Sequence, residues 1–244
     1  MGTSQGLRWS GEARVEQQEK MMMRFTPAHC SRVRDILIPY RDTVAYNRVV
    51  PDARNTVPDY EQRMRRKAAV LVPLVNVDGV ASILFTVRAV GLNTHAAQVS
   101  FPGGHVDEGE TFEEAAKREL KEEVNIGNVQ TLGTWSSARA YTGTMVTPVL
   151  GFIPEPMTKR DVELSGKFRP EEVSAAFSLP LVHLLDPKNR FRESFSTFKT
   201  ARFGGGPEPI WGLTAFFLEN ILKDVIAPAM ELEFLPTPLK AEAL

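Results

Sequence analysis

The chain has 244 residues, of which 43% are hydrophobic and 24% are charged, a composition typical of a globular protein. The formal net charge of −1 excludes a strong general attraction to nucleic acid or to an anionic membrane. No apolar run is long enough to span a bilayer. Cys30 is the only cysteine, which excludes an intrachain disulfide and suits a reducing, intracellular compartment, either the cytosol or the mitochondrion.

The N-terminal part of the chain divides into two segments. Residues 1–24 are polar and lack apolar periodicity, which indicates a disordered leader or an artificial addition to the natural chain. Residues 25–66 are predicted to be a helical extension, with an amphipathic helix over 27–38 that packs on the core. The same stretch mixes arginines with apolar residues and has no acid between Met21 and Asp35, so a mitochondrial presequence is the alternative.

Residues 67–226 alternate between strand and helix patterns and are predicted to form the main domain, followed by an extended tail over 227–244. The predicted strands are 68–75 and 80–88, joined by a turn, then 99–101, 130–137, 144–153 and 172–179, with a hairpin over 191–203. Besides the helix that follows Thr111, helices are predicted over 180–185 and 212–226. This order predicts an α/β fold, a sandwich with helices on both sides of a mixed sheet.

Three connections in this domain are predicted to be irregular. Residues 138–143 form a loop between two strands, and residues 154–170 are polar and expected to be exposed. Residues 204–206 are three consecutive glycines. Because no Lys-Ser/Thr pair and helix follow them, as they would in a phosphate-binding P-loop, we interpret them as a flexible hairpin tip.

The helix after Thr111 has well-defined ends. Thr111 and Glu114 have the spacing of a capping box. An apolar stripe repeats in steps of four along the helix, formed by Phe112, Ala116, Leu120 and Val124. Asn125 follows the last apolar residue, and asparagine is, after glycine, the residue best suited to a left-handed helix stop.

Three glutamates on this helix are the most informative residues of the chain. Glu119 lies one turn from both Glu122 and Glu123, so the three carboxylates repel one another unless a cation binds between them. A hard divalent cation such as Mg²⁺ prefers such oxygen ligands. The alternative is a solvated face, as the lysine and arginine one turn beyond Glu113 and Glu114 suggest. The preceding loop, 101–104, favours the ligand site, because its two glycines let backbone groups approach a ligand.

These residues carry a family resemblance. The spacing of Gly104, Glu110, Arg118-Glu119-Leu120, Glu122-Glu123 and Asn125-Ile126 resembles the Nudix box, with Asn125 where the family has glycine. Upstream, residues 83–104 resemble the signature of the coenzyme A pyrophosphatase branch of Nudix enzymes. Thr86, Arg88, Ala89 and 101–104 match that signature, whereas Asn93 replaces an arginine and Ala97 a glycine.

The resemblance implies a Nudix-type α/β/α sandwich and the hydrolysis of a diphosphate in a nucleotide derivative, with Mg²⁺ or Mn²⁺ as cofactor. Coenzyme A or acyl-coenzyme A is the substrate implied by the branch, cut to 3′,5′-ADP and 4′-phosphopantetheine. The alternatives are another nucleoside diphosphate, such as ADP-ribose or NADH, and a Nudix module that binds a nucleotide without cleaving it. The expected partner is thus a small molecule, and not nucleic acid or membrane; a homodimer is possible.

The resemblance also implies roles for individual residues. The implied metal ligands are Glu119, Glu123, Glu122 and the carbonyl of Gly103, and the implied catalytic residues are Glu122 as proton acceptor, Arg118 as the residue that orients the glutamates, and Glu110 as its partner. Stabilisation of the helix dipole is the alternative role of Glu110.

The residues expected to bind substrate are Arg88, His95 and Gly104. Arg88 could instead anchor a strand by pairing with a carboxylate, and His95 could be an exposed loop histidine. Glu171 and Glu172 lie where some Nudix enzymes place a loop carboxylate near the metals, but a strand-capping charge is the favoured interpretation.

Overall fold

The structure is a computed structural model that describes residues 23–46, 59–89, 97–195 and 198–239. The helices are α1 (Pro27–Leu37), α2 (Tyr60–Arg63), α3 (Phe112–Val124), α4 (Lys159–Ser165), α5 (Leu181–Leu185), α6 (Gly212–Ile221) and α7 (Ala227–Ala229). The strands are β1 (Val44–Tyr46), β2 (Lys67–Val77), β3 (Val80–Arg88), β4 (Val99–Ser100), β5 (Gly103–His105), β6 (Gln130–Thr134), β7 (Ser137–Arg139), β8 (Met145–Met157), β9 (Val173–Pro180), β10 (Arg190–Phe195) and β11 (Phe198–Phe203).

The described strands form a mixed nine-stranded sheet and a separate two-stranded hairpin of β10 and β11. β2 is central, with β8 parallel to it on one side and β3 antiparallel on the other. The far side of β3 pairs with β9. Beyond β8 lie β6 and β7, and β1 runs parallel to β7 at the edge.

The sheet divides where the two central strands separate. β2 and β3 pair only near their connecting turn, from Leu74 opposite Ile83 to Val77 opposite Val80. Further from the turn, β5 pairs with β2 and β4 pairs with β3. The loop that joins β4 to β5 therefore enters the gap between the two central strands, and it carries residues 101–104.

Helices cover both faces of the sheet. On one face, Leu120 and Val124 of α3 and Val162 of α4 are buried in a cluster with Leu71 and Leu84 of the central strands. On the other face, a larger cluster joins α1 and α6 to the sheet through residues such as Val33, Leu37, Phe217 and Ile221. Because each helix has one apolar side, both faces must be covered for these sides to be buried. The predicted α/β/α sandwich with a mixed sheet is confirmed.

The predicted α1, the β2–β3 hairpin, α3, β9, α5 and the β10–β11 hairpin are confirmed, with ends within three residues of the prediction. The long helix predicted over 212–226 is also present, with a π-helical turn at Leu222–Ile226 before α7. The chain is therefore helical to Ala229, beyond the predicted start of the extended tail. Among the described residues, no helix is both long and apolar enough to cross a membrane.

Two of the three predicted connections differ from the prediction. Residues 154–170 are not irregular, because β8 continues to Met157 and α4 follows with a capping box of Thr158 and Asp161. Residues 204–206 do lie in a hairpin-like loop, since reciprocal hydrogen bonds between Phe203 and Ile210 close the chain around them, and Gly205 lies against the ring of His183. The loop predicted over 138–143 begins later, because residues 137–139 form β7.

Asn125 provides a test of how α3 ends. It adopts the left-handed conformation, with φ 55° and ψ 31°, and its N–H donates to the carbonyl of Lys121. Glycine tolerates this conformation, whereas a β-branched residue does not. We therefore expect Asn125→Gly to change the free energy of unfolding by less than about 1 kcal/mol, and Asn125→Val to lower it by about 1–2 kcal/mol. Urea denaturation measures both values, and equal stability of the two variants would contradict this account of the helix stop.

Candidate active site

The loop between β4 and β5 lies directly against β2 and α3, and at Gly103 a side chain would clash with the backbone of β2. A Cβ atom on Gly103 would lie 2.4 Å from the carbonyl oxygen of Ala69, and one on Gly104 would lie 2.3 Å from Oε1 of Glu119. The carbonyl of Pro102 accepts a hydrogen bond of 2.8 Å from the N–H of Leu71, which holds the loop against β2. The two glycines thus allow α3 to place its glutamates against backbone.

Glu123 is the most buried of these glutamates. It is only 5% exposed, and its carboxylate accepts a hydrogen bond from the N–H of Gly103. Its other oxygen, Oε2, is buried without a hydrogen-bond partner among the described residues. An ionised carboxylate in such a position is unfavourable unless a positive group approaches it. The orphaned oxygen therefore fits a cation ligand.

The glutamate cluster is formed by Glu119, Glu122 and Glu123, and the pKa values of two of its members also favour a cation ligand. Burial, together with the charge of Glu119, raises the pKa of Glu123 to about 8, although the Arg88 charge and the Gly103 N–H oppose this shift. Burial also raises the pKa of Glu119, against the hydrogen bond and charge of Arg118. Both carboxylates are thus destabilised as anions in the metal-free protein, and a divalent cation would relieve this cost.

Arg118 is the hub that orients the outer carboxylates. Its guanidinium donates from Nε to Oε1 of Glu110 at 3.0 Å and from Nη1 to Oε1 of Glu119 at 2.8 Å. Nη2 donates to the carbonyl of His105 at 3.0 Å, and Nη1 lies 3.5 Å from Oε2 of Glu122. The Arg118 hydrogen bond lowers the pKa of Glu110. The structure therefore brings Glu110 and Arg118 together as the sequence predicts, while their catalytic roles stay predictions.

The carboxylates do not yet surround a single point. Among the residues that the structure describes, no three histidine, cysteine or acidic side chains converge as a ready metal cage. The reason is that Arg118 holds Glu119 and Glu122, while Glu123 turns to the Gly103 N–H. A cation could therefore contact Oε2 of Glu123 directly, whereas Glu119 and Glu122 would have to release Arg118 to bind it. Oxygen donors alone suit Mg²⁺ or Mn²⁺.

The predicted substrate-binding residues are distributed around the cluster. Arg88 ends β3 on the side of Glu123, and its Nε is buried without a hydrogen-bond partner among the described residues. Gly104 lies directly against Glu119. His95 and the departure at Asn93 lie outside the described residues.

Glu172 directly precedes β9. Its carbonyl accepts a 2.9 Å hydrogen bond from the N–H of Ala89, and its charge raises the pKa of both Glu119 and Glu123. The charge of Glu172 thus acts on these glutamates, while its carboxylate pairs with Arg169, which fits the favoured interpretation of a strand-capping charge. The register of β3 with β9 places Glu172 beside Ala89, since Val173 lies opposite Arg88. Only the pairing of these two predicted strands could have revealed it.

The raised pKa of Glu123 predicts how stability depends on pH without metal. Since the pKa of about 8 in the folded protein exceeds the reference value of 4.5, the folded state binds this proton more tightly than the unfolded state does. The resulting stabilisation is complete below about pH 4.5 and is lost as the pH rises through 8. In EDTA, the unfolding free energy of the wild type should fall relative to that of Glu123→Gln between pH 5 and pH 9.

The matched control for this comparison is Glu113→Gln, which changes a half-exposed glutamate of the same helix. This variant should follow the wild type at every pH, because Glu113 lies outside the buried cluster. A constant difference between the wild type and Glu123→Gln across this range would show that Glu123 is not protonated in the metal-free fold.

Comparison with known proteins places this site in a family. The NUDIX domain matches residues 64–197. Nudix hydrolase 3 of Caenorhabditis elegans is 30% identical over 175 residues, which cover 63% of this chain and 71% of that protein. The uncharacterized Nudix hydrolase NudL of Escherichia coli O6:H1 is 42% identical over 123 residues, which cover 49% of this chain and 60% of that protein. The chain therefore spans less than two thirds of this second relative.

Two solved structures that resemble this chain have TM-scores below 0.5. A mutT/nudix family protein from Listeria innocua has a TM-score of 0.42 and 16% identity, and the match covers 68% of this chain and 95% of that one. An Ap4A hydrolase of C. elegans has a TM-score of 0.38 and 27% identity, covering 47% of this chain and 80% of that one. The family assignment rests instead on the domain match and the sequence relatives. Because the matched span 64–197 begins just before β2 and contains α3 with its glutamates, the chain belongs to the Nudix family of hydrolases.

Proposed function

We propose that this Nudix protein is a metal-dependent hydrolase that cleaves the diphosphate of coenzyme A or acyl-coenzyme A. The products would be 3′,5′-ADP and 4′-phosphopantetheine or its acyl derivative. The observation that carries the hydrolase proposal is Oε2 of Glu123, which is buried without a hydrogen-bond partner among the described residues and feels the charge of Glu119. The coenzyme A assignment is supported by the signature at 83–104, whose Thr86 and 101–104 lie where the central strands separate.

The residues of the glutamate cluster and their neighbours have different proposed roles in binding the metal ion. Glu119 and Glu123 would hold Mg²⁺ or Mn²⁺, with Glu122 and the Gly103 carbonyl as further ligands. When bound, the cation neutralises the phosphate oxygens and lowers the pKa of water. Arg118 keeps the glutamates oriented through its charge-assisted hydrogen bonds, and Glu110 holds Arg118 in place.

The remaining groups act on the substrate and the attacking water. In hydrolysis, the water oxygen bonds to one phosphorus, the bond from that phosphorus to the bridging oxygen breaks, and the other phosphate leaves with the bridging oxygen. The Glu122 side chain is 43% exposed, and its Oε2 lies 3.5 Å from Arg118 Nη1, too far for a strong hydrogen bond. Glu122 is therefore the least restrained of the three glutamates and the one proposed to accept the water proton. Arg88, whose Nε has no hydrogen-bond partner in the part of the chain that the structure describes, is proposed to bind a phosphate. His95 and Gly104 are proposed to contact the substrate as well.

Neutral substitutions of the buried glutamates test the hydrolase proposal. Glu119→Gln and Glu123→Gln should each lower kcat by at least about 10²-fold, because each removes an anionic ligand of a cation that stabilises the transition state. Glu113→Gln should retain wild-type turnover. Release of 3′,5′-ADP at saturating Mg²⁺ measures kcat. Unchanged turnover in both variants, or full activity in excess EDTA, would contradict the metal assignment. No release of 3′,5′-ADP by the wild type would favour a binding module without catalysis.

A substrate panel tests the coenzyme A assignment. Coenzyme A, 3′-dephospho-coenzyme A, ADP-ribose and NADH share a diphosphate and differ in the groups attached to it. We expect kcat/KM for coenzyme A to exceed that for the dephosphorylated form by at least about tenfold, which corresponds to about 1.4 kcal/mol. Chromatographic separation of the products identifies the bond cleaved. Preferential cleavage of ADP-ribose or NADH would overturn the coenzyme A assignment and leave the hydrolase proposal intact.

A further inference from the structure

The triple-glycine loop, residues 204–206, is held in place by hydrogen bonds. The N–H of Gly204 donates to the carbonyl of Asn189 at 2.9 Å, and Nε2 of His183 lies 2.8 Å from the carbonyl of Gly204. Nδ2 of Asn189 lies 3.1 Å from Nδ1 of His183, so Nδ1 accepts this hydrogen bond and Nε2 donates to Gly204. A shift of the loop away from its neighbours would therefore break several hydrogen bonds.

The last glycine of this loop lies against the ring of Phe177 in β9. A Cβ atom on Gly206 would lie 2.5 Å from Cε2 and 2.7 Å from Cζ of Phe177. A Cβ atom on Gly204, in contrast, would meet only the carbonyl oxygen of Asn189, at 3.8 Å. A side chain at position 206 therefore has to displace the Phe177 ring, whereas position 204 has room for a methyl group.

Phe177 belongs to a row of three stacked rings that crosses the sheet. The ring centroids of Phe177 and Phe85 lie 5.5 Å apart and those of Phe85 and Phe101 lie 5.2 Å apart, with 24° between the planes in both pairs. The register of β3 with β9 places Phe85 opposite Phe177. Phe85 and Phe101 are buried in the core. Because a packed core transmits strain, a displacement of Phe177 would reach Phe101.

The other end of this row is the loop of residues 101–104. β4 pairs with β3 as far as Ser100, and Phe101 then leads the chain into the gap between β3 and β2. The carbonyl of Pro102 holds the loop against β2, and the stacking of Phe101 on Phe85 holds it against β3. The N–H of Gly103 donates to the Glu123 carboxylate. The position of Phe101 therefore determines where this donor lies.

We propose that Phe177 is a positioning residue of the active site, which holds the Gly103 N–H against Glu123 through the stacked row of Phe177, Phe85 and Phe101. Gly206 leaves the space that the Phe177 ring occupies, and the hydrogen bonds of the triple-glycine loop define that space. Where the inference concerns turnover, it rests on the proposed function. Where it concerns the position of the Gly103 amide, it is independent of any activity.

A methyl group at position 206 tests the row from its remote end. Gly206→Ala should shift the amide NMR signal of Gly103 in the full chain without metal, since Phe101 moves with the row. With saturating coenzyme A and Mg²⁺, this variant should lower kcat about tenfold and change KM by less than about twofold, because it misplaces a group near the reacting atoms and removes no substrate contact. An unchanged Gly103 signal in the folded variant would overturn the proposal.

Gly204→Ala is the matched control, because it adds the same methyl group to the same loop without a close neighbour. It should leave the Gly103 signal and kcat as they are in the wild type, and a loss of kcat equal to that of Gly206→Ala would overturn the proposal.

Phe177→Leu tests whether the methyl group acts through the ring. This variant removes the ring atoms that a methyl group at position 206 would meet, so in this background Gly206→Ala should change kcat by less than about twofold. An equal loss of kcat with and without the Phe177 ring would overturn the proposal. If Gly206→Ala does not fold, Phe177→Leu alone decides, because the loss of stacking on Phe85 should also shift the Gly103 signal. A wild-type Gly103 signal in folded Phe177→Leu would refute the role of Phe177.

The experiment separates this inference from the function on which it partly rests. If the wild type releases no 3′,5′-ADP from coenzyme A, the proposed function fails, and the Gly103 signals alone decide whether Phe177 positions the loop. If the wild type cleaves coenzyme A and Gly206→Ala has the same kcat, the proposed function stands and the positioning role is refuted.

Discussion

The burial of the Glu123 carboxylate beside the charge of Glu119 is the constraint on which the rest of the site depends. Glu123 has one oxygen satisfied by the Gly103 N–H and another with no hydrogen-bond partner among the described residues. Ionised Glu123 loses the solvation of its charge in this position, and apolar packing cannot replace that solvation. The surrounding arginines reduce the repulsion, and a divalent cation would reverse it.

The architecture keeps the two carboxylates in place. The separation of β2 from β3 admits the glycine loop, and the absence of side chains at Gly103 and Gly104 lets α3 pack against it. The capping box at Thr111 and the left-handed Asn125 fix both ends of α3. A helix with fixed ends and a buried stripe has a fixed rotation, so its glutamates must face the loop.

Local chemistry made α3 predictable from the sequence, since its cap, its stripe and its stop each depend on residues within a few positions. The self-repulsion of its glutamates could be predicted for the same reason. The position of Glu172 beside Ala89 could not, because it arises from the pairing of β3 with β9, which lie far apart in the sequence. The end of β8 could not be predicted either, because Pro154 and Pro156 lie in its last part and prolines are rare inside strands. The burial of Arg190 was equally hidden, because its partners Leu184 and Thr237 come from separate segments.

The proton balance of cation binding tests the central claim most directly. A metal binds the ionised carboxylate, so a Glu123 whose pKa is about 8 must lose its proton when the site is filled. Calorimetric titration with Mn²⁺ in buffers of different ionisation enthalpy counts the protons released. The account predicts about one proton per protein molecule at pH 7, falling towards zero above pH 9. Binding without proton release at pH 7 would contradict it, because Glu123 would then already be ionised in the metal-free protein.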